Sequence, residues 1–289
     1  MKTCFIVNPR SGRAMRALPA VRSFAANSGA SVVLTERSRH ATELAQHALQ
    51  TGVELVVAVG GDGTMNEVAS ALVATPAVLG LVPCGSGNGL GRHLKIHGSV
   101  RNSLELLRSG APQSIDSGLA DGHPFFTAAG MGFEAKVALE FNHSKHRGFL
   151  RYLSTSTREL FRYQCENYAV THPGGCTHVR AFTLAIANSD QYGNNAIIAP
   201  GARADDGQLD LCAIPPLTVL NSAPLLARLF LGTINRQAGV FLSRAVSFVV
   251  ERSHSGPIHT DGEIHEAGTR ISFEIRPASL RIMAPRASG

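Results

Sequence analysis

Four short apolar runs, each ending in a turn, are separated by three amphipathic stretches within the first 83 residues, and this alternation leaves the chain few folds to choose from. Residues 3–8, 31–36, 54–60 and 77–83 read as strands, and 14–29, 40–52 and 64–75 read as helices. Near-continuous apolar strands between amphipathic helices are satisfied by a parallel sheet with both faces covered. The expected start of the chain is therefore an α/β domain.

After Asp116 the pattern changes. The runs PFFTAAGMGFEAKVALE, HVRAFTLAIANS, GQLDLCAI, AVSFVVER and RISFEIRP are β-rich and are separated by Gly, Pro, Asn and Asp. They indicate a second, mostly antiparallel domain, interrupted by helical patterns near 147–163 and 218–238. No repeat or low-complexity linker marks the boundary, which is set between 117 and 118. A chain of 289 residues accommodates two domains, and 44% hydrophobic content supplies their cores. No apolar run is long enough for a membrane-spanning helix, and the first residues read as a strand more than a signal peptide. Five cysteines, without a C-x-x-C, point to a reducing, cytoplasmic setting. A net charge of +6 suits phosphorylated ligands, nucleic acid or anionic lipid, and is also common in proteins that bind none of them.

The turns after the strands carry the chemistry. The third strand ends in Gly60, Gly61, Asp62 and Gly63, a sequence that invites close approach to the main chain. Thr64 and Glu67 fit a capping box, so a helix is expected from Thr64, with Val68 and Leu72 on its buried face. A strand, a glycine turn and a helix N-terminus form an anion-ready site. The loop after 79–83 repeats the arrangement with Gly85, Ser86, Gly87, Asn88 and Gly89, and the first strand is followed by Asn8, Pro9, Ser11 and Gly12. Three such loops fall at the carboxyl ends of parallel strands, where open α/β sheets bind ligands. The P-loop, the dinucleotide fingerprint and the protein-kinase elements are all absent from the sequence.

The motifs N-P-x-S-G at 8–12, G-G-D-G-T-x-N-E at 60–67 and P-C-G-S-G-N at 83–88 resemble the diacylglycerol kinase catalytic family, which includes bacterial soluble lipid kinases and the sphingosine and ceramide kinases. The segment 194–211 and the triplet 261–263 resemble later motifs of that family, so the resemblance spans almost the whole chain. It implies an NAD kinase/diacylglycerol kinase-like α/β nucleotide domain over 1–117, a β-sandwich over 118–277, a final strand within 278–289 that returns to the first domain, and an active site in the cleft between the domains. It further implies ATP contacts at Asn8, Pro9, Arg10, Ser11, Gly12, Thr35, Gly60, Gly61, Asp62, Gly63, Thr64, Met65, Asn66 and Ser86, with Lys145 and Arg151 as basic contacts to its phosphates. Most members have Thr where Ser86 stands, and the hydroxyl is kept. Glu263 is the implied proton acceptor, Asp261 its neighbour and Asp62 the third acid, one that holds Mg²⁺ or orients the acceptor. In similar bacterial members a structural Mg²⁺ binds where Asp206 stands, with Arg203 and Gln208 as carbonyl donors; an Asp-Gly turn that binds nothing is the alternative.

The resemblance implies a lipid alcohol as acceptor. Gly89, where bacterial members commonly have Asp, is similar to the sphingosine kinases. Those enzymes carry an acid just past G-F-x-A, placed for the lipid amine. Here Lys136 stands at that place, and Glu134 is expected to point to the other side of an extended strand. Lys136 would repel an amine, so diacylglycerol is the first choice and a sphingolipid the second. The stretches 216–234 and 148–153 mix apolar and basic residues and suit a visit to anionic lipid, although an ordinary core helix is the favoured reading of 216–234. A peripheral membrane enzyme without a nucleic-acid partner is expected, and a homodimer is an open option. The competing readings are an NAD kinase-like enzyme, which shares the G-G-D-G turn, and a non-catalytic nucleotide-binding protein.

Overall fold

The computed structural model describes residues 1–96, 98–136 and 163–286. The chain divides into two compact units, Met1–Ser117 with Gln191–Asn195 and Pro277–Gly289, and Gly118–Asp190 with Ala196–Arg276.

In the first unit the elements follow as β1 (Thr3–Val7), α1 (Ala14–Ser28), β2 (Ser31–Leu34), α2 (His40–Gln50), β3 (Leu55–Gly60), α3 (Asp62–Leu72), β4 (Val78–Pro83), α4 (Gly89–His93) and α5 (Val100–Ser109). The four expected strands and three expected helices are all present. The strands pair in parallel in the order β2-β1-β3-β4, with Phe5 opposite Val57 and Val57 opposite Gly80. Strands β1 and β3 are adjacent although α1, β2 and α2 lie between them in sequence, so the strand order reverses there. The core beneath combines Phe5, Val7, Val57, Val59 and Val82 with Leu18 and Val21 of α1 and Leu104 and Leu107 of α5. Gly29 adopts φ +67° and ends α1, its N–H returning to the Ala25 carbonyl.

One helix start differs from expectation. Helix α3 begins at Asp62, with Gly61 as its cap residue and no side-chain cap. Thr64 and Glu67 do not cap their own helix. The Glu67 carboxylate instead accepts from the N–H groups of Arg39 (3.1 Å) and Ala41 (2.9 Å), so it caps α2. Val68 and Leu72 are buried, as their spacing predicts.

The chain continues through β5 (Ala111–Ala120), β6 (His123–Phe125), β7 (Ala128–Gly132), β8 (Glu166–His172), β9 (Gly175–Ala181), β10 (Thr183–Ala187), β11 (Gln191–Gly193), β12 (Ala196–Ile197), β13 (Leu209–Ile214), α6 (Val219–Phe230), a single 3-10 turn (Ile234–Arg236), β14 (Phe241–Ala245), β15 (Ser247–Arg252), β16 (Gly256–Thr260), β17 (Glu263–Ala267) and β18 (Arg270–Ala284). The second unit is a sandwich. One antiparallel sheet runs β14-β13-β10-β7-β16-β17, and the other contains β9, β8, β15 and the first half of β18. Inward residues recur with period two, as in Leu209, Leu211 and Ala213, and meet Tyr168, Val170, Phe248, Val250, Ile271 and Phe273 from the facing sheet. The last residues of β18 return to the first unit, where Arg281 and Ile282 pair in parallel with Val78 and Leu79.

Helix α6 is capped by a reciprocal box, the Thr218 hydroxyl accepting from Asn221 N–H and the Asn221 side chain from Thr218 N–H. It is not the core helix favoured from sequence. Leu225 is buried, but Leu226, Phe230 and Leu231 are 55%, 52% and 74% exposed. No helix among the described residues is long and apolar enough to cross a membrane.

Phe273 is fully buried where the two sheets of the sandwich meet. Phe273→Ala is expected to cost about 3–5 kcal/mol in urea unfolding, through lost transfer energy and the cavity left behind. A cost below about 1 kcal/mol would show that the sandwich core closes over the gap.

Candidate active site

Three loops extend from the carboxyl ends of β1, β3 and β4, and backbone hydrogen bonds lock them together. Asn8 N–H donates to the Val59 carbonyl (3.0 Å), Arg13 N–H to the Cys84 carbonyl (3.0 Å) and Cys84 N–H to the Gly60 carbonyl (2.6 Å). The Asn8 side-chain amide donates to the Thr64 hydroxyl (3.0 Å). The glycines make this interlock possible. A Cβ on Gly85 would lie 2.7 Å from the Gly61 Cα, and one on Gly12, at φ +47°, would strike the Cys84 carbonyl oxygen. What approaches the main chain so closely is thus, in the first instance, another loop.

Asp62 completes the interlock. Its carboxylate oxygens accept from the N–H groups of Asn88 (2.8 Å) and Gly89 (2.7 Å), so it caps α4 from the neighbouring loop. A Cβ on Gly87 would come within 2.6 Å of Asp62 Oδ2. Asn88, at φ +51°, closes the loop on itself, accepting from Gly85 N–H (3.1 Å) and donating to the Gly85 carbonyl (2.8 Å).

A cavity of about 530 Å³ opens beside these loops, lined in part by Gly12, Arg13, Gly85, Ser86, Asn88 and Arg92. Arg13 and Arg92 are absent from the set expected on sequence. Their signal was available, because each is a basic residue directly after a glycine-rich loop. Arg92 is held in place by bonds from Nε to the Gly87 carbonyl (2.7 Å) and from Nη1 to Asn195 Oδ1 (2.6 Å). The two arginines that line this cavity are chemically matched to a polyphosphate. The residues present therefore fit ATP. Among the expected contacts, Arg10, Gly12, Gly63 and Ser86 are exposed and Asn8, Pro9, Ser11, Gly61 and Asp62 half-buried. Thr35, Gly60, Thr64, Met65 and Asn66 are buried and shape the loops from beneath. Lys145 and Arg151 lie outside the described residues.

The other two acids belong to the second unit. Asp261 and Gly262, at φ +49° and +86°, form the two-residue hairpin turn between β16 and β17. The Asp261 carboxylate accepts from three consecutive N–H groups, of Phe126 (2.8 Å), Thr127 (2.9 Å) and Ala128 (3.0 Å). Glu263 is the first residue of β17 and is exposed. The two acids of this triplet thus have different surroundings.

Glu134 departs from expectation. Residues 133–136 are helical, so strand alternation does not govern where it points. Its side chain is 12% exposed and lies 3.1 Å from His259 Nε2, and burial pushes its pKa up against the opposing pull of that imidazole. Lys136 is exposed and lies over the Tyr163 ring at 5.9 Å.

The expected Mg²⁺ loop has a different set of partners. Arg203 pairs with Asp205 (3.0 Å), and Asp206 Oδ1 accepts from Gln208 N–H (3.1 Å). Arg244 stands 3.7 Å from Asp206 Oδ2 and 2.9 Å from Asp210 Oδ1. Among the described residues no group of three His, Cys, Asp or Glu side chains is arranged to hold a metal ion. Arg244 thus already supplies positive charge beside Asp206 and Asp210. Chelation is accordingly expected to leave the thermal unfolding midpoint unchanged, whereas Arg244→Met should cost about 1–3 kcal/mol by leaving Asp210 without its donor. A large fall in the midpoint with chelator would restore the metal at this place.

The interlocked loops generate a second expectation. Gly85→Ala should cost about 1–3 kcal/mol and weaken ATP binding, because its new methyl group meets backbone. Gly63→Ala, with nothing within 4 Å of the added carbon, should be neutral or stabilising by about 0.5–1 kcal/mol. Urea unfolding and calorimetric ATP titration of both variants check this, and equal effects would refute the interlock.

Comparison with known proteins agrees with this geometry. The profile of the diacylglycerol kinase catalytic domain matches residues 2–120, and that of the YegS C-terminal NAD kinase beta sandwich-like domain matches residues 127–284. A Pseudomonas putida protein named "Probable lipid kinase YegS-like" is 32% identical over 263 residues, which cover 89% of this chain and 86% of that protein. A Pectobacterium atrosepticum protein of the same name is 28% identical over 249 residues, covering 83% of this chain and 81% of that protein. Among solved structures, a diacylglycerol kinase-like chain from Bacillus anthracis superposes with a TM-score of 0.82 at 20% identity, covering 99% of this chain and 98% of that one. An NAD kinase from Archaeoglobus fulgidus, crystallised with ATP, reaches a TM-score of 0.59 at 13% identity over 99% of this chain and 94% of its own. These two likenesses speak to the fold alone. With one profile covering more than half of its length and a relative 32% identical across most of both chains, this chain belongs to the YegS-like family of lipid kinases.

Proposed function

We propose that the protein transfers the γ-phosphate of ATP to the hydroxyl of a neutral lipid alcohol, with diacylglycerol as the preferred acceptor. The observation that carries this reading is the cavity beside the loops after β1 and β4, where Arg13 and Arg92 offer the cations a triphosphate needs. Phosphoryl transfer rests mainly on positioning and charge stabilisation, and these groups supply both. A magnesium ion carried in with the nucleotide would neutralise charge on the phosphates. Asp62 is assigned to holding two loops in register, since both of its oxygens are engaged by backbone N–H groups.

Glu263 is assigned the proton. As the acceptor oxygen forms its bond to the γ-phosphorus, the bond from that phosphorus to the bridging oxygen breaks, ADP leaves, and the hydroxyl proton passes to the Glu263 carboxylate. Its exposure supports this role. Asp261 has the positioning part, because three N–H groups fix its carboxylate and with it the turn that presents Glu263. The exposed Lys136 ammonium favours an uncharged acceptor over a sphingoid amine by like-charge repulsion. A peripheral, cytoplasmic enzyme that meets its acceptor at a bilayer belongs to the same proposal.

The test is transfer of labelled γ-phosphate to diacylglycerol, ceramide, sphingosine and monoacylglycerol in mixed micelles, with NAD in a separate tube. Label is expected in diacylglycerol. Label in sphingosine would refute the reading of Lys136, and label in NAD alone would make this an NAD kinase. Glu263→Gln is expected to lower turnover by about 100–10,000-fold with ATP affinity nearly unchanged. Near-normal turnover in that variant would remove Glu263 from the role of base.

A further inference from the structure

Helix α6 is turned the opposite way from an ordinary surface helix. At 100° per residue, Ala223, Pro224, Leu226, Ala227 and Phe230 fall on one arc, which Leu231 extends at the C-cap. All six are exposed. Leu225, on the opposite side, is the residue that packs inward, and Asn221, Ser222 and Arg228 lie at the flanks. The helix therefore presents a continuous apolar face to its surroundings, where charged and polar side chains are the rule. Leu226, Phe230 and Leu231 are among the most exposed large apolar side chains of the described residues. A contiguous apolar face of this kind marks an interaction surface.

The charges around it select the occupant. From Leu211 to Val250 the sequence contains no Asp or Glu, and its charged residues are Arg228, Arg236 and Arg244. Arg244 is already engaged by Asp206 and Asp210. Arg236 is exposed just beyond the helix, and Arg228 is half-buried at its flank. An apolar stripe bordered by cations with no neighbouring acid in the segment complements the acyl boundary of a bilayer whose headgroups are anionic. A reciprocal protein interface of this composition would bring the same arginines of two copies together without a compensating carboxylate from the segment.

We propose that the exposed face of α6, from Ala223 to Leu231, is the membrane-docking surface of this protein, with Phe230 and Leu231 entering the acyl boundary and Arg228 and Arg236 meeting anionic headgroups. The proposal rests on the lipid-kinase reading for its purpose, but its test needs no catalysis. Full-length protein, without ATP, is sedimented with vesicles of phosphatidylcholine alone or with about 30% phosphatidylglycerol. Binding is expected to the anionic vesicles, to weaken as salt rises from about 0.1 M to about 0.5 M, and to fall by about 10- to 100-fold in the L226S/F230S/L231S variant. The R228Q/R236Q variant is expected to lose roughly fivefold per arginine on anionic vesicles only. Because Leu226, Phe230 and Leu231 are exposed, the thermal midpoint of L226S/F230S/L231S should be unchanged, which keeps misfolding apart from lost docking.

Equal vesicle binding by wild type and L226S/F230S/L231S would overturn the proposal. So would a wild-type dimer in the absence of vesicles that the same substitutions convert to a monomer, since the face would then belong to a second copy. If docking is lost in that variant while no lipid is phosphorylated by the wild type, the docking surface stands and the kinase reading falls.

Discussion

The first unit depends on a single carboxylate held between two glycine loops. Asp62 begins α3 yet spends both of its oxygens on the start of α4, so the loops after β3 and β4 cannot move independently. The loop after β1 joins them through Arg13 N–H and the Asn8 amide. Each bond is modest alone, but buried polar groups that are fully satisfied specify one arrangement over its alternatives. Arg92 is fixed at the cavity wall by the Gly87 carbonyl of the same loop system.

This changes what a glycine-rich motif means physically. A run such as G-G-D-G reads as room for a ligand, because glycine exposes backbone. Here Gly61 and Gly85 are small because they face each other, and Gly87 because Asp62 lies against it. Backbone-to-backbone packing of loops is what these glycines permit. The ligand benefits from glycines that it need not touch.

The alternation of strand and helix in the first unit was legible because it is local. Propensity and period decide Leu55–Gly60 as a strand and Ala14–Ser28 as a helix within a few residues. The acids and glycines of the site were legible as types in order. Their partners were not, because a hydrogen bond between Glu67 and the start of α2, or between Asp261 and Phe126–Ala128, joins residues far apart in sequence. The T-x-x-E spacing therefore suggested a cap on the wrong helix. Glu134 was misjudged for a different reason: strand periodicity was applied two residues beyond the end of a strand, where the chain had already turned helical. Helix α6 shows the same limit at the level of a face. Its composition reveals an amphipathic stretch, and only tertiary packing decides that Leu225 turns inward while Phe230 remains outside.

The division of labour within Asp261-Gly262-Glu263 follows from hydrogen bonding alone. The Asp261 carboxylate accepts from three consecutive N–H groups and is thereby tied to the backbone of Phe126–Ala128. It is well suited to fixing a hairpin whose two central residues both need positive φ, a conformation that costs Asp261 more than it costs glycine. Glu263, one residue past that turn, stands on a strand that pairs back to Thr260 and leaves its side chain exposed. Two acids two residues apart thus have different surroundings, the first fixed to the backbone and the second exposed on a strand.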